Sequence, residues 1–371
     1  MSFQVEEIAL HVVSLPAREP FVTSYGSIDR KTPIIIELRG NGVRGYAEAP
    51  IPPFPFYSHE TTCSALHVLR EFAIPMFFKE RPETPQDLAR VLKKIVGNPF
   101  ARAGLEMAYW DFAAKGKGVP LYRMLGGARS RIPAGVSIGI KKSLDELVNA
   151  VGGFLEKKYH RIKIKIAPGN EIEPVRRLFK EFPAIQLMVD ANSAYTLGEA
   201  AIFKELDAYP LLMIEQPLHE TDIFEHSLLQ KEIKNPICLD ESIESALDAH
   251  AAIALKSCRV INIKPGRVGG LTEALAIHDL ARNAGMPVWC GGMLESGVGR
   301  SINMALATLE NFKFPGDISE SKRYYHEDIV EPEIKLTADG YLELLDGPGI
   351  GFEINERQLS KLTISTEVLR S

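Results

Sequence analysis

The 371-residue sequence has little of several features that would assign it to other classes of protein. No apolar run approaches the ~20 residues that a membrane-spanning helix needs, and the acidic start MSFQVEEIAL does not have the basic region of a signal peptide. With a net charge of −5, the chain has no basic surplus for nucleic acid. Its four cysteines are scattered and its nine histidines form no metal-binding cluster. We therefore expect a cytoplasmic protein with free thiols, no membrane or nucleic-acid partner and no histidine-based metal site.

The sequence does contain two distinct patterns of apolar residues. Residues 1–49 alternate apolar and polar positions, as antiparallel strands do, with a hairpin signal at Asn41-Gly42. Residues from about 60 to 125 show helical spacing, and after Gly126-Gly127 short apolar strands alternate with helical stretches. We expect an α+β domain over 1–127, a parallel β/α domain over 128–320, and a C-terminal segment, 321–371, that packs back on the first domain.

The strands of the second domain end at regular intervals of 24 to 26 residues. The predicted last residues are Ile140, Lys165, Asp190, Glu215, Asp240, Lys264, Cys290 and Gly316. Eight strand-plus-helix units of equal size close into a (β/α) barrel. The fold class that we predict is α/β, a TIM-like (β/α) barrel with an α+β N-terminal domain completed by the C-terminal tail.

Three consecutive units of this series end in an acidic residue. The carboxyl ends of barrel strands form the mouth where active sites are built. Asp190, Glu215 and Asp240 would therefore lie side by side, and buried carboxylates repel one another unless a cation neutralises them. Mg²⁺ suits such oxygen ligands and tolerates substrate oxygens, and Mn²⁺ or another divalent cation would also fit. We predict a metal site formed by these three residues.

Lysines flank this predicted metal site on both sides. In RIKIKIAPG, residues 161–169, Lys163 and Lys165 share one strand face, and Lys264 would stand opposite them across the mouth. Amines beside a carboxylate bound to a metal indicate abstraction of the proton α to that carboxylate. We expect Lys165 and Lys264 to be the acid/base pair. Lys163, burial and the metal charge would lower the pKa of the lysine base toward the working pH.

Each of these residues, taken singly, has another interpretation. Asp190 or Asp240 would also serve as the N-cap of the helix that follows. Lys163 and Lys165 would also suit a solvent-exposed edge strand, and Lys264, before a Pro-Gly turn, would suit the surface. The metal-and-lysine interpretation depends on all of these positions being in phase with one repeat.

Short motifs in this region resemble a known family. In chain order they are KxK at 163–165, DAN at 190–192, IEQP at 214–217, LDES at 239–242 and NIKPGRVGGL at 262–271. They resemble the enolase superfamily, muconate-lactonizing subgroup. Within it, PVWCGGMLESGVGR at 287–300 and GDIS at 316–319 are similar to the o-succinylbenzoate synthase/N-succinylamino acid racemase family. A dipeptide epimerase of this subgroup would have Asp-x-Asp in place of GDIS. The different sequence at this position argues against dipeptide epimerisation.

The resemblance implies a reaction and a substrate. The N-terminal domain would cap the barrel, Asp190, Glu215 and Asp240 would bind Mg²⁺, and Lys165 and Lys264 would transfer protons. The reaction would be dehydration of 2-succinyl-6-hydroxy-2,4-cyclohexadiene-1-carboxylate to o-succinylbenzoate for menaquinone synthesis, together with racemisation of N-succinyl or other N-acylamino acids. The partner would be a small-molecule carboxylate, and the family resemblance implies a homo-oligomer.

The resemblance also indicates which residues would contact the substrate. Two loops of the capping domain, 17–27 and 50–59, would cover the mouth, and the backbone N–H groups of Gly291 to Gly297 would hold the succinyl carboxylate. The candidates are Phe21, Tyr25, Phe54, Tyr57, Ser137, Asn192, Gly292, Met293 and Ser296. The aromatic residues would equally suit packing between the domains, and Ser296 would equally be a plain N-cap. Arg267 would either support the site or lie on the surface.

Other functions remain open on the residues alone. A Schiff-base lyase would use Lys165 or Lys264, but it would leave the three carboxylates without a role. A non-catalytic barrel that binds a metal would have no need of two opposed lysines. Within the superfamily, N-acylamino acid racemisation as the main activity and muconate-type cycloisomerisation are the alternatives.

Overall fold

The N-terminal domain begins with strands and continues with helices. The computed structural model describes residues 4–23 and 26–371 of the chain. The first strands are β1 (Glu7–Val13), β2 (Leu15–Thr23), β3 (Gly26–Lys31), β4 (Ile34–Gly40) and β5 (Val43–Ala49). The helices are α1 (Thr62–Val68), α2 (Ile74–Glu80), α3 (Pro85–Leu92), α4 (Pro99–Gly116) and α5 (Leu121–Met124), with a π-helical turn over Leu69–Ala73.

An antiparallel sheet organises this domain, and the last strand of the chain is part of it. The final strand, β17 (Thr363–Arg370), pairs with β1, and the sheet order is β17-β1-β4-β5. Between β4 and β5, Asn41 and Gly42 both have positive φ, 52° and 74°, as a two-residue hairpin turn requires. The predicted hairpin and the completion of this domain by the C-terminal tail are confirmed.

The stretch 17–27, expected to be a loop, is not one in its described residues. β2 and β3 pair with each other as a separate antiparallel hairpin. The pairing register shifts between Pro16 and Phe21, and β3 is largely polar and exposed. Such a segment lacks the apolar alternation that identifies a strand. Tyr25 lies outside the described residues.

The second domain alternates strands with helices. Its strands are β6 (Arg131–Pro133), β7 (Gly135–Ile138), β8 (Arg161–Lys165), β9 (Leu187–Asp190), β10 (Ile214–Glu215), β11 (Ile237–Leu239), β12 (Val260–Ile263) and β13 (Val288–Cys290). Its helices are α6 (Leu144–Glu156), α7 (Ile172–Glu181), α8 (Ala200–Leu206), α9 (Phe224–Glu232), α10 (Ala246–Leu255), α11 (Pro265–Val268), α12 (Leu271–Asn283) and α13 (Gly297–Ala307). The described part of the chain contains no helix of the length and apolar character that crossing a bilayer requires.

Within the described residues, seven parallel strands form one sheet in the order β13-β12-β11-β10-β9-β8-β7. At the eighth predicted position the described chain forms only isolated bridges, in a segment that contains a Pro-Gly pair. This segment still joins the two edges of the sheet. The N–H of Asp317 donates to the carbonyl of Cys290, and the N–H of Gly135 donates to the carbonyl of Gly316, both at 2.9 Å. The barrel is confirmed, but its closing strand is irregular.

The rest of the chain returns across both domains. It contains β14 (Val330–Glu331), β15 (Tyr341–Glu343), β16 (Glu353–Ile354), α14 (Glu356–Leu362) and β17. β15 pairs with β6, and β14 pairs with β16, before β17 reaches the N-terminal sheet. The domain boundaries at 127 and 320 stay predictions.

Helix α4 connects the capping domain to the barrel. A Cβ atom at Gly45 would lie 2.5 Å from the Cβ of Phe112, so only glycine lets α4 approach β5 this closely. On the barrel side, the buried Glu106 carboxylate accepts the N–H groups of Leu271 and Thr272, at 2.8 and 2.9 Å. An acidic group at a helix N-terminus is stabilising. These contacts place the capping domain at the N-terminus of α12.

Candidate active site

The alternation of side chains along each strand places the charged residues inside the barrel. Lys165 is level with Asp190, and Asp190 is level with Glu215, in the parallel registers of β8, β9 and β10. Asp240 directly follows β11, and Lys264 directly follows β12. Two residues before Asp190, Glu215 and Asp240, on the same strand faces, lie apolar side chains that fill the barrel below the site. These side chains belong to the buried cluster Met188, Met213, Cys238, Val260 and Trp289. The five charged side chains are no more than 9% exposed.

Lys163 lies at the centre of the carboxylates. Its ammonium nitrogen is 2.6 Å from Asp317, 2.8 Å from Glu215 and 3.1 Å from Asp190. Burial disfavours this ammonium, but the three carboxylates outweigh burial and hold the pKa of Lys163 above its usual range. Lys163 therefore carries a positive charge that balances part of the acidic cluster.

Lys165 and Lys264 each contact a different carboxylate. Lys165 donates to Asp190 and to the side-chain oxygen of Asn192, both at 2.6 Å. Lys264 donates to Asp240 at 2.6 Å and to the Tyr57 hydroxyl at 3.0 Å. The two amines thus contact the row of acidic residues at its two ends, Lys165 at Asp190 and Lys264 at Asp240.

Burial lowers the pKa of Lys264, as expected for a site lysine, but the groups around the ammonium act in the opposite direction. The Tyr57 oxygen, which accepts a hydrogen bond from Lys264, and the charges of Glu241 and Glu215 outweigh burial and raise the pKa of Lys264 above its usual value. Burial, and then the charge of Asp190, raises the pKa of Glu215. The carboxylates therefore favour the protonated forms of Lys163 and Lys264 unless another cation neutralises the carboxylates.

Tight turns after β9 and β10 orient the acidic residues. Asn192 and Gln216 have positive φ, 44° and 38°, which is uncommon for residues other than glycine. The Gln216 side chain accepts the N–H of Asp240 at 2.9 Å and donates to the Ser242 hydroxyl at 2.6 Å. Arg267 is buried and donates to the Asp240 carboxylate and to the Ile243 carbonyl. Of its two predicted locations, Arg267 therefore has the one that supports the site.

A cavity of about 120 Å³ opens above these residues, between the capping domain and the barrel. Lys163, Lys165 and Lys264 line it from the barrel side. Predicted substrate residues that also line it are Phe21, Phe54, Tyr57, Ser137, Asn192, Gly292 and Met293. The buried Ser137 hydroxyl has no hydrogen-bond partner among the described residues, so it is available to a ligand. The contact of each of these residues with a substrate stays a prediction.

Ser296 does not line this cavity. It is fully buried, and its N–H and hydroxyl both donate to Glu48, at 2.8 and 2.5 Å. The N–H of Gly297 donates to Asp328, and that of Met293 donates to Glu295. Acidic side chains of the protein therefore already occupy the N–H groups of Met293, Ser296 and Gly297, and the N–H of Gly291 donates to the carbonyl of Ile263. For the other backbone groups of this stretch, the expected contact with a substrate carboxylate stays a prediction.

Two cavity residues were not identified as functional from the sequence. Asp317, which binds Lys163 and Arg161 at 2.6 Å, follows the predicted end of the eighth unit, and this position could have indicated it. Lys31 reaches the cavity from β3, in a polar segment whose sequence gives no signal for it.

Asp190, Glu215 and Asp240 contact cations of the protein itself. In residues 4–23 and 26–371, no three His, Cys, Asp or Glu side chains are placed close enough together to hold a metal ion. Each of the three predicted ligands is instead hydrogen bonded to lysine, and Asp240 also to Arg267. The lysines and Arg267 thus balance the negative charge of the buried carboxylates.

The fold and the site together define a class of barrel enzymes, in which an α+β domain covers a mouth with carboxylates between two lysines. Residues 7–126 match the N-terminal domain of mandelate racemase and muconate lactonizing enzyme, and residues 144–358 match the enolase C-terminal domain-like family. The chain belongs to the mandelate racemase/muconate lactonizing enzyme family of the enolase superfamily, and it is an enzyme.

Individual relatives are similar along the whole chain. The o-succinylbenzoate synthase of Bacillus subtilis is 45% identical over 366 residues, which cover 98% of each protein. The N-succinylamino acid racemase of Thermus thermophilus is 41% identical over 361 residues, which cover 97% of this chain and 98% of that protein. The crystal structure of an enolase superfamily member from Listeria innocua has a TM-score of 0.96 and 41% identity, and 99% of each chain is covered.

Proposed function

We propose that the protein dehydrates 2-succinyl-6-hydroxy-2,4-cyclohexadiene-1-carboxylate to o-succinylbenzoate and also racemises N-succinylamino acids. The observation that carries this proposal is that Lys165 and Lys264 line one cavity from opposite flanks of Asp190, Glu215 and Asp240. Relatives that are more than 40% identical over nearly the whole chain have these two names. Both reactions begin with removal of a proton α to a carboxylate, so one site can serve both.

The acidic residues fit a divalent cation by the chemistry of their donors. Three carboxylates lie at the carboxyl ends of three adjacent strands, and the charge of Asp190 is close enough to Glu215 to raise its pKa. Enolase superfamily sites use a lysine or histidine base with Mg²⁺. A Mg²⁺ ion bound by Asp190, Glu215 and Asp240 would supply Lewis-acid stabilisation of the charge that develops on the substrate carboxylate.

Lys165 is the proposed base in dehydration. The neutral amine takes the α-proton, the electrons of the C–H bond form the new ring double bond, and the β-hydroxyl leaves. Because the elimination is syn, the leaving hydroxyl is on the same face as Lys165. The ammonium of Lys165 can then return its proton to the hydroxyl, which departs as water. Lys264, on the other face, stabilises the intermediate by its charge.

Racemisation uses the same residues differently. One lysine removes the α-proton, and the other delivers a proton to the opposite face of the carbon. Racemisation is favoured because both amines line the same cavity and each donates a hydrogen bond to a different carboxylate. Dehydration needs one base, whereas racemisation needs both lysines.

The wider biological setting is part of the proposal. We place the dehydration in menaquinone synthesis in the cytoplasm, with Mg²⁺ as the preferred ion and several copies of the chain in the assembly. Light scattering during size-exclusion chromatography measures the assembly, and a monomer at micromolar concentration would contradict that part.

The test compares both reactions on one preparation. Purified protein with Mg²⁺ is assayed for conversion of the cyclohexadiene carboxylate and, in D₂O, for α-deuterium exchange into each enantiomer of N-succinylphenylalanine. We expect dehydration and exchange in both enantiomers. Lys165→Ala should reduce dehydration by about 10²- to 10⁴-fold. Lack of turnover on both substrates would contradict the proposed function.

A further inference from the structure

A fourth ammonium group reaches the cavity, and the proposed chemistry does not use it. Lys31 is the last residue of β3, in the hairpin of the capping domain, and its side chain is only 2% exposed. It lines the same cavity as Lys165 and Lys264. Lys31 lies close enough to Lys264 for their charges to interact. A buried lysine is rare unless it is paired or has a function.

The immediate partners of Lys31 are neutral. Its ammonium donates to the carbonyl of Met293 at 2.5 Å and to the carbonyl of Pro50 at 3.3 Å. An ammonium has three N–H donors, so one remains. Lys163, Lys165 and Lys264 each lie within 3 Å of a carboxylate, whereas no described carboxylate lies within the 4 Å ion-pair distance of Lys31.

The nearest acidic residues bind other groups. Glu48 and Glu295 are the two acids whose charges act on Lys31. Glu48 accepts the N–H and the hydroxyl of Ser296. Glu295 accepts the side-chain amide of Asn303 and the N–H of Met293, both at 2.9 Å. Lys31 therefore brings a buried positive charge to the cavity wall without a carboxylate in contact.

We propose that Lys31 binds the second carboxylate of a dicarboxylate substrate, the acid at the far end of a succinyl chain. This inference rests on the proposed function and adds the residue that selects the acyl group. An anion at Lys31 would make a charge-assisted hydrogen bond in a site that excludes water. Of the backbone groups expected to hold this carboxylate, those of Ser296, Gly297 and Met293 are bound to Glu48, Asp328 and Glu295, and Lys31 is the charged donor of the cavity wall that has no carboxylate in contact.

The experiment compares two acyl groups of equal length. Racemisation of N-succinylphenylalanine and of N-butyrylphenylalanine is measured with Mg²⁺ for wild type, Lys31→Met and Lys31→Gln. Gln keeps an N–H donor for the Met293 carbonyl but removes the charge. We expect both variants to lose about 10- to 100-fold in kcat/KM on the succinyl substrate, mostly through KM. Both should stay within about threefold of wild type on the butyryl substrate.

Lys94→Met is the matched control, because Lys94 is an exposed lysine of the same domain, 65% accessible. It should leave both rates unchanged. Equal losses on both substrates in the Lys31 variants would mean a structural role and would overturn the proposal, as would no loss on either. If wild type turns over neither substrate, the proposed function is wrong. Lys31 is then tested by calorimetric binding of succinate, and equal affinities of wild type and Lys31→Met would overturn the inference.

Discussion

Replacing Gly291 by alanine should displace Lys264 and leave Lys165 in place. An added Cβ would lie 2.6 Å from the Cε atom of Lys264 and 2.4 Å from the side-chain oxygen of Asn262. Carbon atoms in contact are normally ~3.5–4.0 Å apart, so the flexible lysine must move by about 1 Å. The φ angle of Gly291 is not positive, so its backbone can accept alanine.

The expected effect follows from this displacement. A misplacement of about 1 Å can reduce a rate about 10²-fold, which corresponds to ~2.7 kcal/mol of activation free energy. We expect proton transfer by Lys264 to fall by about this factor. The partners of Lys165 are Asp190 and Asn192, neither of which is among the atoms nearest to the added Cβ. Movement of Asn262, which donates to Glu215, would affect both transfers equally, so the ratio of the two rates should still change about 10²-fold.

The assay measures α-deuterium exchange that occurs without inversion. Each enantiomer of N-succinylphenylalanine presents its α-proton to a different lysine, so one enantiomer should lose exchange and the other should keep it. The ratio of the two rates does not depend on the fraction of protein that is folded. Gly153→Ala is the control, because a Cβ there meets no atom within 4 Å. Equal losses for both enantiomers, or none, would refute the assignment of the two lysines to opposite faces.

Three further predictions concern the metal, the acidic cluster and the contact between the domains. Chelation followed by dialysis should reduce turnover at least about 10²-fold, with recovery on addition of Mg²⁺; activity that survives chelation, together with trapping by borohydride, would favour a Schiff-base lyase. Lys163→Met leaves three buried carboxylates without this partner and should lower the free energy of unfolding of the metal-free protein by about 3–5 kcal/mol in urea denaturation. Lys94→Met, which removes an exposed ion pair, should change it by about 0–1 kcal/mol, and equal effects would contradict the argument. Burial raises the pKa of Glu106 from 4.5 to about 7, so between these pH values the folded protein keeps a proton that the unfolded chain has released. The free energy of unfolding should therefore fall by about 3 kcal/mol as pH rises through this window, relative to Glu106→Gln, and parallel pH curves for the two proteins would show that Glu106 is not the cause.

Two features differ from the expectations: the hairpin of β2 and β3, where a loop over 17–27 was expected, and the backbone groups before the helix that begins at Gly297, where a substrate carboxylate was expected. β3 is polar and exposed, so its pairing with β2 has no apolar alternation to reveal it. Ser296 has the composition and position of an anion-binding helix start, but Glu48, 248 residues away, occupies it. Both outcomes depend on which distant segment packs against the local one.

The sequence by itself determined the barrel and its charged mouth. A repeat of 24 to 26 residues places the ends of parallel strands at one edge, and alternation along each strand turns Lys165, Asp190 and Glu215 to the same interior. The periodicity of apolar residues indicates only which face of a single helix or strand is buried. The contact of Lys31 with Met293, across 262 residues, and that of Lys163 with Asp317 were decided by the tertiary structure, because the packing of the capping domain and the closing segment on the barrel creates them.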